Sequence, residues 1–331
     1  MKQRQGLSVI AAVAALTLGC AQDAAGPKFG VPPARGVLQT STTGPTFTTI
    51  DFPGGFVTLA ADINKTGQIV GRYTDAGGIV RGFLLSGTTF TSITVPPGAL
   101  WTRAIAINNG GDIVGDYSLT DARGDKDVHG FLLHSSSFSS FDVPGAAATI
   151  AEGMDSKGDI VGFYTANVGT NTNTSASNRH GFLLSNGAFT SIDFPGASST
   201  EAWRINDNGV ILGKYRSTTD DKWHLYVLNN GSFNPLADFP GAAETAPDGY
   251  AHLGGLNQQG DITSTYCLSA CNNLFSSSAS VHGFLLSQGV YATIEPASAI
   301  LSLAFGINGS GDIVGAYQDP SGAIHGYLRT P

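Results

Sequence analysis

The sequence predicts an all-β protein, a six-bladed β-propeller with four antiparallel strands per blade, and three observations predict it. The phrase Gly-Asp-Ile-Val-Gly-x-Tyr recurs, with variations, six times along the chain. Each recurrence lies in a period that carries the signals of four short strands. The chain opens on a lone fourth strand and closes on a triplet that lacks one. The N-terminal strand therefore joins the C-terminal blade and closes the ring.

Within a period the first strand is a small-apolar run such as Ala104-Ile-Ala-Ile107, which ends at an Asn: Asn64, Asn108, Asn206, Asn257 and Asn308, with Asp155 in the third copy. Ala60, Ala104, Ala151, Ala202 and Ala304 keep this innermost strand slim. A tight Asn-x-x-Gly turn leads to the second strand, which closes on Tyr73, Tyr117, Tyr164, Tyr215, Tyr266 or Tyr317. The third strand reads His-Gly-Phe-Leu-Leu at His129, His180 and His282, with variants at Arg81, His224 and His325. Its consecutive apolar residues require both faces to be buried. A hairpin turn then leads to Phe-Thr-x-Ile-Asp-Phe-Pro-Gly, whose alternation and terminal Pro suit a sheet edge. These fourth strands start at Phe47, Phe90, Phe138, Phe189, Phe233 and Tyr291, spaced 43, 48, 51, 44 and 58 residues apart.

Ordered phrases of this kind resemble the bacterial extracellular repeats of the HAF type, named for a His-x-Phe signature. The signature here is His129-Gly-Phe131, His180-Gly-Phe182 and His282-Gly-Phe284. The resemblance runs from Phe47 to the C-terminus. It implies export and a propeller-like repeat, and brings no catalytic residues. Arg81 and His224-Leu-Tyr depart from the pattern.

The N-terminus reads as an address. Lys2 and Arg4 precede an apolar stretch, Leu7 to Gly19, too short to span a bilayer. Leu16-Thr-Leu-Gly-Cys20 resembles a bacterial lipobox, which makes Cys20 the lipidation site, and Ala21 after it implies the outer membrane or cell surface. Unused, the same leader implies secretion. The expected organisation is a signal peptide over 1–19, a lipid-anchored flexible tether over 20–46 with a reach of about 28 Å, and the propeller over 47–331. The other cysteines, Cys267 and Cys271, are expected to form a disulfide, for which their short segment must bend.

With 13% charged residues, 17 Lys and Arg in all and a net charge of −8, the chain lacks the basic face that nucleic acid requires. No cofactor motif is present. The acidic residues Asp121, Asp125, Asp127, Asp220 and Asp221 lack a calcium-loop spacing, so neither metal nor cofactor is expected.

Residues repeated in every blade solve one packing problem repeatedly and read as structural. The Tyr set reads as blade packing. The His set reads as a hairpin lock with Asp112, Asp159, Asp261 and Asp312 as partners. Function then belongs where copies differ. The loops joining strands two and three, and four and one, vary in length and emerge on one face, which reads as the binding face. The Asn/Thr/Ser-rich segment 167–178 lies in one of them. On strand one, the residue five before the Asn changes from copy to copy and includes Arg103, Glu201 and His252; the residue three before it includes Glu152 and Trp203. With Trp101, Arg204 and Tyr250 these are the candidate ligand-binding residues at a channel mouth. Aromatic, cationic and acidic groups together suit a glycan or a cell-surface protein as partner. The alternatives are a hydrolase, lyase or lactonase using Glu152 and Glu201 as acid and base, and a structural envelope or adhesion protein. The bland reading of the two acids is loop charges paired with Arg103 and Arg204.

Overall fold

The computed structural model describes residues 44–120, 127–166, 178–248, 254–269, 271 and 280–331. Cys20, Tyr250, His252, Asp121, Asp125 and all of the segment 167–178 except Asn178 lie outside the described residues. Among the described residues every regular element is a β-strand. Strand β1 (Thr46–Ile50) comes first, followed by the meander β2 (Val57–Ile63), β3 (Ile69–Thr74), β4 (Val80–Ser86) and β5 (Thr89–Ile93). The next two meanders are β6 (Trp101–Ile107), β7 (Ile113–Ser118), β8 (Val128–His134), β9 (Ser137–Phe141), then β10 (Ala146–Met154), β11 (Ile160–Ala166), β12 (Arg179–Ser185), β13 (Ala188–Ile192). The fourth runs β14 (Ala197–Ile205), β15 (Ile211–Ser217), β16 (Trp223–Asn229), β17 (Ser232–Pro235). In the fifth, strand one is reduced to β18 (Glu244–Thr245) and β19 (Gly255–Leu256), followed by β20 (Ile262–Ser269), β21 (Ser280–Ser287) and β22 (Val290–Ile294). The last is β23 (Leu301–Ile307), β24 (Ile313–Gln318) and β25 (Ile324–Thr330), and β1 pairs antiparallel with β25, Thr46 opposite Thr330 and Ile50 opposite Gly326.

Meanders pack face to face because glycine holds two key positions. The Gly of His-Gly-Phe lets the backbone of the next meander approach: a Cβ at Gly82 would stand 3.1 Å from the Ala104 nitrogen, and one at Gly326 would stand 3.3 Å from the Ala60 nitrogen. The second Gly of the Gly-Asp-Ile-Val-Gly phrase lies beneath the aromatic ring of strand three. A Cβ at Gly315 would overlap the Leu303 carbonyl oxygen and come within 2.7 Å of the Tyr327 ring. Phe83, Phe131, Phe182, Tyr226, Phe284 and Tyr327, which occupy this ring position, are completely buried. The fifth meander carries Ser264 here instead. Its short strands β18 and β19 pair with Cys267 and Tyr266 and with Thr263 and Ile262, so neither strand faces Ser264.

The Tyr set packs between meanders. Phe52 stacks on Tyr73 with ring centroids 3.5 Å apart, Phe194 on Tyr215 at 3.7 Å and Phe239 on Tyr266 at 3.6 Å. Each of these Phe residues follows the fourth strand of the preceding meander, so the pair seals the junction. The hydroxyls of Tyr73, Tyr117 and Tyr266 hydrogen-bond Ser92, Ser140 and Thr293 on their own fourth strands. Cys267 and Cys271 are joined by a disulfide with their Cα atoms 5.8 Å apart.

The Asn set forms a belt. In each turn the Asn Oδ1 accepts backbone N–H groups two and four residues on, as Asn108 does from Gly110 and Asp112. Its Nδ2 donates to the equivalent carbonyl of the next meander: Asn64 to Asn108 at 3.2 Å, Asn108 to Asp155 at 3.3 Å, Asn206 to Asn257 at 3.1 Å, Asn257 to Asn308 at 3.3 Å and Asn308 to Asn64 at 3.4 Å. Asp155 breaks the series. Its Oδ1 accepts from Lys157 and Asp159 as an Asn would, but its buried Oδ2 has no partner. Burial raises its pKa against the lowering effect of those two amides. Asp155→Asn restores a donor toward Asn206 and is expected to add about 1 kcal/mol of stability, a melting shift of roughly 2–4 °C. An Asp with a raised native pKa stabilises best when protonated, so the gain is full above that native value, shrinks as the pH falls through it and is smallest below the ordinary value of 3.8. Thermal melts of both proteins across this range check it; an unchanged or lower melting point at pH 7 is the contrary result.

Candidate functional site

Strands one and two are register partners, so residues directly opposite project on the same face. The position five before the Asn therefore meets the variable residue of Gly-Asp-Ile-Val-Gly-x-Tyr. Leu59 is opposite Arg72, Arg103 opposite Asp116, Ile150 opposite Phe163, Glu201 opposite Lys214 and Leu303 opposite Ala316. Two of these cross-strand pairs are ionic and two are apolar. Around the apolar pair from β23 and β24, a buried cluster gathers Leu59, Ala61, Ile105, Cys267, Leu303 and Phe305. The charged pairs belong to the second and fourth meanders, and the apolar Ile150–Phe163 pair belongs to the third.

The charged side centres on Glu201 of β14, which is fully buried. Its Oε1 accepts from Arg179 Nη1 of β12 at 2.5 Å, and its Oε2 from Trp203 Nε1 at 2.8 Å. Lys214 Nζ lies 3.8 Å from Oε2. Asp248, between β18 and β19, binds the same two cations, at 3.0 Å from Arg179 and 3.4 Å from Lys214. The Lys214 ammonium also sits 4.0 Å from the centroid of Trp223 and 5.2 Å from that of Trp203. Desolvation of two cations is thus offset by two carboxylates and two indole faces. Burial lowers the Arg179 pKa, but Glu201 and Asp248 outweigh it and the value is raised. The Asp248 side chain is 31% exposed and connects the cluster to solvent.

Next to it lies a more polar pair of residues. Arg103 makes a bidentate ion pair with Asp116 and stands 4.8 Å over the Trp101 ring. Glu152 of β10 is buried, and its Oε2 has no hydrogen-bond partner. Burial pushes its carboxyl up to about 8; Arg204 and Arg103 oppose this, while Asp116 and Glu201 add to it. The neutral acid is its main form at pH 7. Arg204, also on β14, donates to three backbone carbonyls, those of Glu152, Trp203 at 3.0 Å and Ala61 at 3.3 Å. Its guanidinium thereby ties the third and fourth meanders to the first. Asp62 accepts from the Ile107 amide at 3.0 Å, and burial raises its pKa against the pull of Arg204.

The structure therefore places Trp101, Arg103, Glu152, Glu201, Trp203 and Arg204 on strands β6, β10 and β14. Glu201 is held by Arg179 and Lys214 rather than by Arg103 or Arg204, and neither acid is a loop charge. Arg179, Lys214, Asp116 and Trp223 were not expected from strand one alone. Their signal lay in the other strands. The variable residue before each Tyr reads Arg72, Asp116, Phe163, Lys214, Thr265 and Ala316. The position opening strand three is Val80, Val128, Val281 or Ile324 in four copies, and Arg179 and Trp223 in the third and fourth.

The His set contacts different carboxylates from those expected. Nδ1 of His129, His180, His224, His282 and His325 faces Asp142, Asp193, Asp238, Glu295 and Asp51, each just past a fourth strand. Asp112 instead contacts His134, at 2.8 Å.

No protein-family model and no curated protein matches this chain. Among solved structures, a lectin from Aleuria aurantia in complex with Fucα1-6GlcNAc is similar at 14% identity, covering 85% of this chain and 93% of its own, with a TM-score of 0.51. An AofleA variant from Arthrobotrys oligospora is 12% identical over 86% of both chains, with a TM-score of 0.52. A fucose-specific lectin, also from Aleuria aurantia, is 15% identical over 86% of this chain and 90% of its own, with a TM-score of 0.50. The fold is that of an all-β propeller.

Proposed function

We propose that this chain is an exported, lipid-anchored binding module of the HAF repeat type, a closed wheel of six blades that takes a glycan through its loop face. The observation that carries the binding reading is the Arg179–Glu201–Lys214–Asp248 cluster with Trp203 and Trp223. Three consecutive repeats abandon their own pattern to build it. Asp248, 31% exposed, is the member that reaches solvent and offers acceptors to sugar hydroxyls, while buried Glu201, Lys214, Trp203 and Trp223 hold it and Arg179 in place. The fucose-specific naming of a lectin with the same fold supports the ligand class. Wheel closure draws support from the β1–β25 pairing, the Asn308-to-Asn64 bond and the approach of Gly326 to Ala60. The leader and Cys20 support export and anchoring. Strand β1 starts opposite Thr330, the end of β25 away from the strand-two-to-three loop.

A glycan array probed with the whole protein tests the binding reading. At least one saccharide is expected to bind, and Asp248→Asn is expected to weaken that interaction about tenfold or more in a protein that still folds but melts lower, because Arg179 and Lys214 lose a carboxylate. A folded protein that leaves the array blank, or a hit indifferent to Asp248→Asn, sinks it. Cys20→Ala is expected to move the protein from the membrane fraction to the medium or periplasm.

A further inference from the structure

Three of the histidines are held on both sides of the ring. His129 Nδ1 is 2.9 Å from Asp142 and Nε2 3.2 Å from Asp127. His224 Nδ1 is 3.1 Å from Asp238 and Nε2 3.1 Å from Asp220. His325 Nδ1 is 2.9 Å from Asp51 and Nε2 3.5 Å from Asp319. An ionised carboxylate only accepts, and a neutral imidazole has one N–H. Both contacts can be made together only by the imidazolium. The two carboxylates come from different connections. Asp142, Asp238 and Asp51 follow fourth strands, whereas Asp127, Asp220 and Asp319 lie between strands two and three. Each ring also lies against a tyrosine, with centroids 5.3 Å apart at Tyr117, 5.5 Å at Tyr215 and 5.1 Å at Tyr317.

The first meander supplies a natural comparison. Its equivalent residue is Arg81, a permanent cation, which holds Asp75 at 3.3 Å and donates to the Ala99 carbonyl at 3.5 Å. His282 pairs with Glu295 on one nitrogen and the Ser280 hydroxyl on the other, so a neutral ring satisfies it.

We propose that His129 and His325 are acid-held clamps that pin Asp127 and Asp319, which lie between strands two and three, to the acids that follow the fourth strands, and release them when the imidazolium loses its proton. This deepens the binding reading, because it regulates the same face. Burial depresses the His129 pKa, but Asp142 and Asp127 outweigh it and raise it above the ordinary value; Asp51 and Asp319 do the same for His325. A histidine with a raised native pKa contributes order below about pH 6.5 that is lost as the pH climbs through the native value. Among the described residues, a tyrosine lies against each ring and the Thr120 hydroxyl donates to Asp127. The Ser321 hydroxyl and the amides of Ala323 and Ser321 keep the Asp319 pKa low. Burial acts upward on Asp220, and its bonds from His224, Ser217 and Lys222 outweigh that. Arg216 is engaged by Asp221 at 2.8 Å.

The test reads the loops of the whole protein without ligand, so its failure is distinct from failure to bind glycan. Hydrogen exchange, corrected for the intrinsic pH dependence, is followed from pH 6 to 8.5 in peptides containing Asp127 and Asp319. Protection is expected to fall about tenfold, the loss of one charge-assisted hydrogen bond, while the peptide containing Asp75 stays flat. The variant His129→Arg/His325→Arg is expected to be flat throughout; should it fail to fold, His129→Arg and His325→Arg singly are read at Asp127 and Asp319. Wild-type loops that ignore pH, an Asp75 peptide that changes equally, or Arg variants that keep the response overturn the proposal.

Discussion

Arg204→Met is expected to cost about 3–5 kcal/mol of stability, lowering the melting temperature by roughly 10 °C. The guanidinium is buried and donates to the carbonyls of Glu152, Trp203 and Ala61, the last 143 residues distant in sequence. Methionine fills similar volume but offers no donor, so those carbonyls are left without this partner, at about 1–3 kcal/mol for each one orphaned. The loss also removes the cation that opposes the upward shifts of Glu152 and Asp62. Both acids then become harder to ionise. Arg204→Lys keeps the charge but replaces a planar fork with a point donor, and is expected to recover only part of the stability. Urea unfolding of the three proteins decides it: Met and wild type with the same midpoint would show that the tie carries no load.

Gly315→Ala is expected to destabilise by about 3 kcal/mol, because its single added carbon has nowhere to go. It meets the Leu303 carbonyl on one side and the Tyr327 ring on the other, and neither is the free end of a flexible side chain. The same substitution at Gly115 or Gly162 meets the Arg103 or Ile150 carbonyl and the Phe131 or Phe182 ring, and should cost a similar amount. Ser264→Gly provides the contrast. At the equivalent position, which neither β18 nor β19 faces, a side chain is already accommodated. Its removal should change stability by less than about 1 kcal/mol. Equal costs at Gly315 and Ser264, measured by denaturant midpoint, would mean that strand one does not impose the glycine.

The misplaced histidine partners show what one period can and cannot tell. Asp112 opens strand two and His129 opens strand three, and both stand close in sequence. In an antiparallel hairpin, however, strand openings lie at opposite ends. His129 is opposite Tyr117, while Asp112 stands beside His134 at the far end. The carboxylate that does reach His129 follows strand four, which ends where strand three begins. Antiparallel geometry alone would have supplied that partner. The cluster around Glu201 could not have been reached this way. Its members lie 22 residues apart for Arg179 and Glu201 and 69 apart for Arg179 and Asp248, on three different meanders.

By itself the sequence determined the β class, the strand order within a period and the positions where glycine, asparagine and tyrosine recur. Those choices are local: strand alternation, turn chemistry and close backbone approach act over a few residues and repeat with the period. Only the tertiary structure decided which unlike residues meet, as Lys214 with Glu201 and Asp248, or Arg204 with the Ala61 carbonyl. Such contacts depend on the register between strands and on the packing of one meander against the next, and no single period contains both partners.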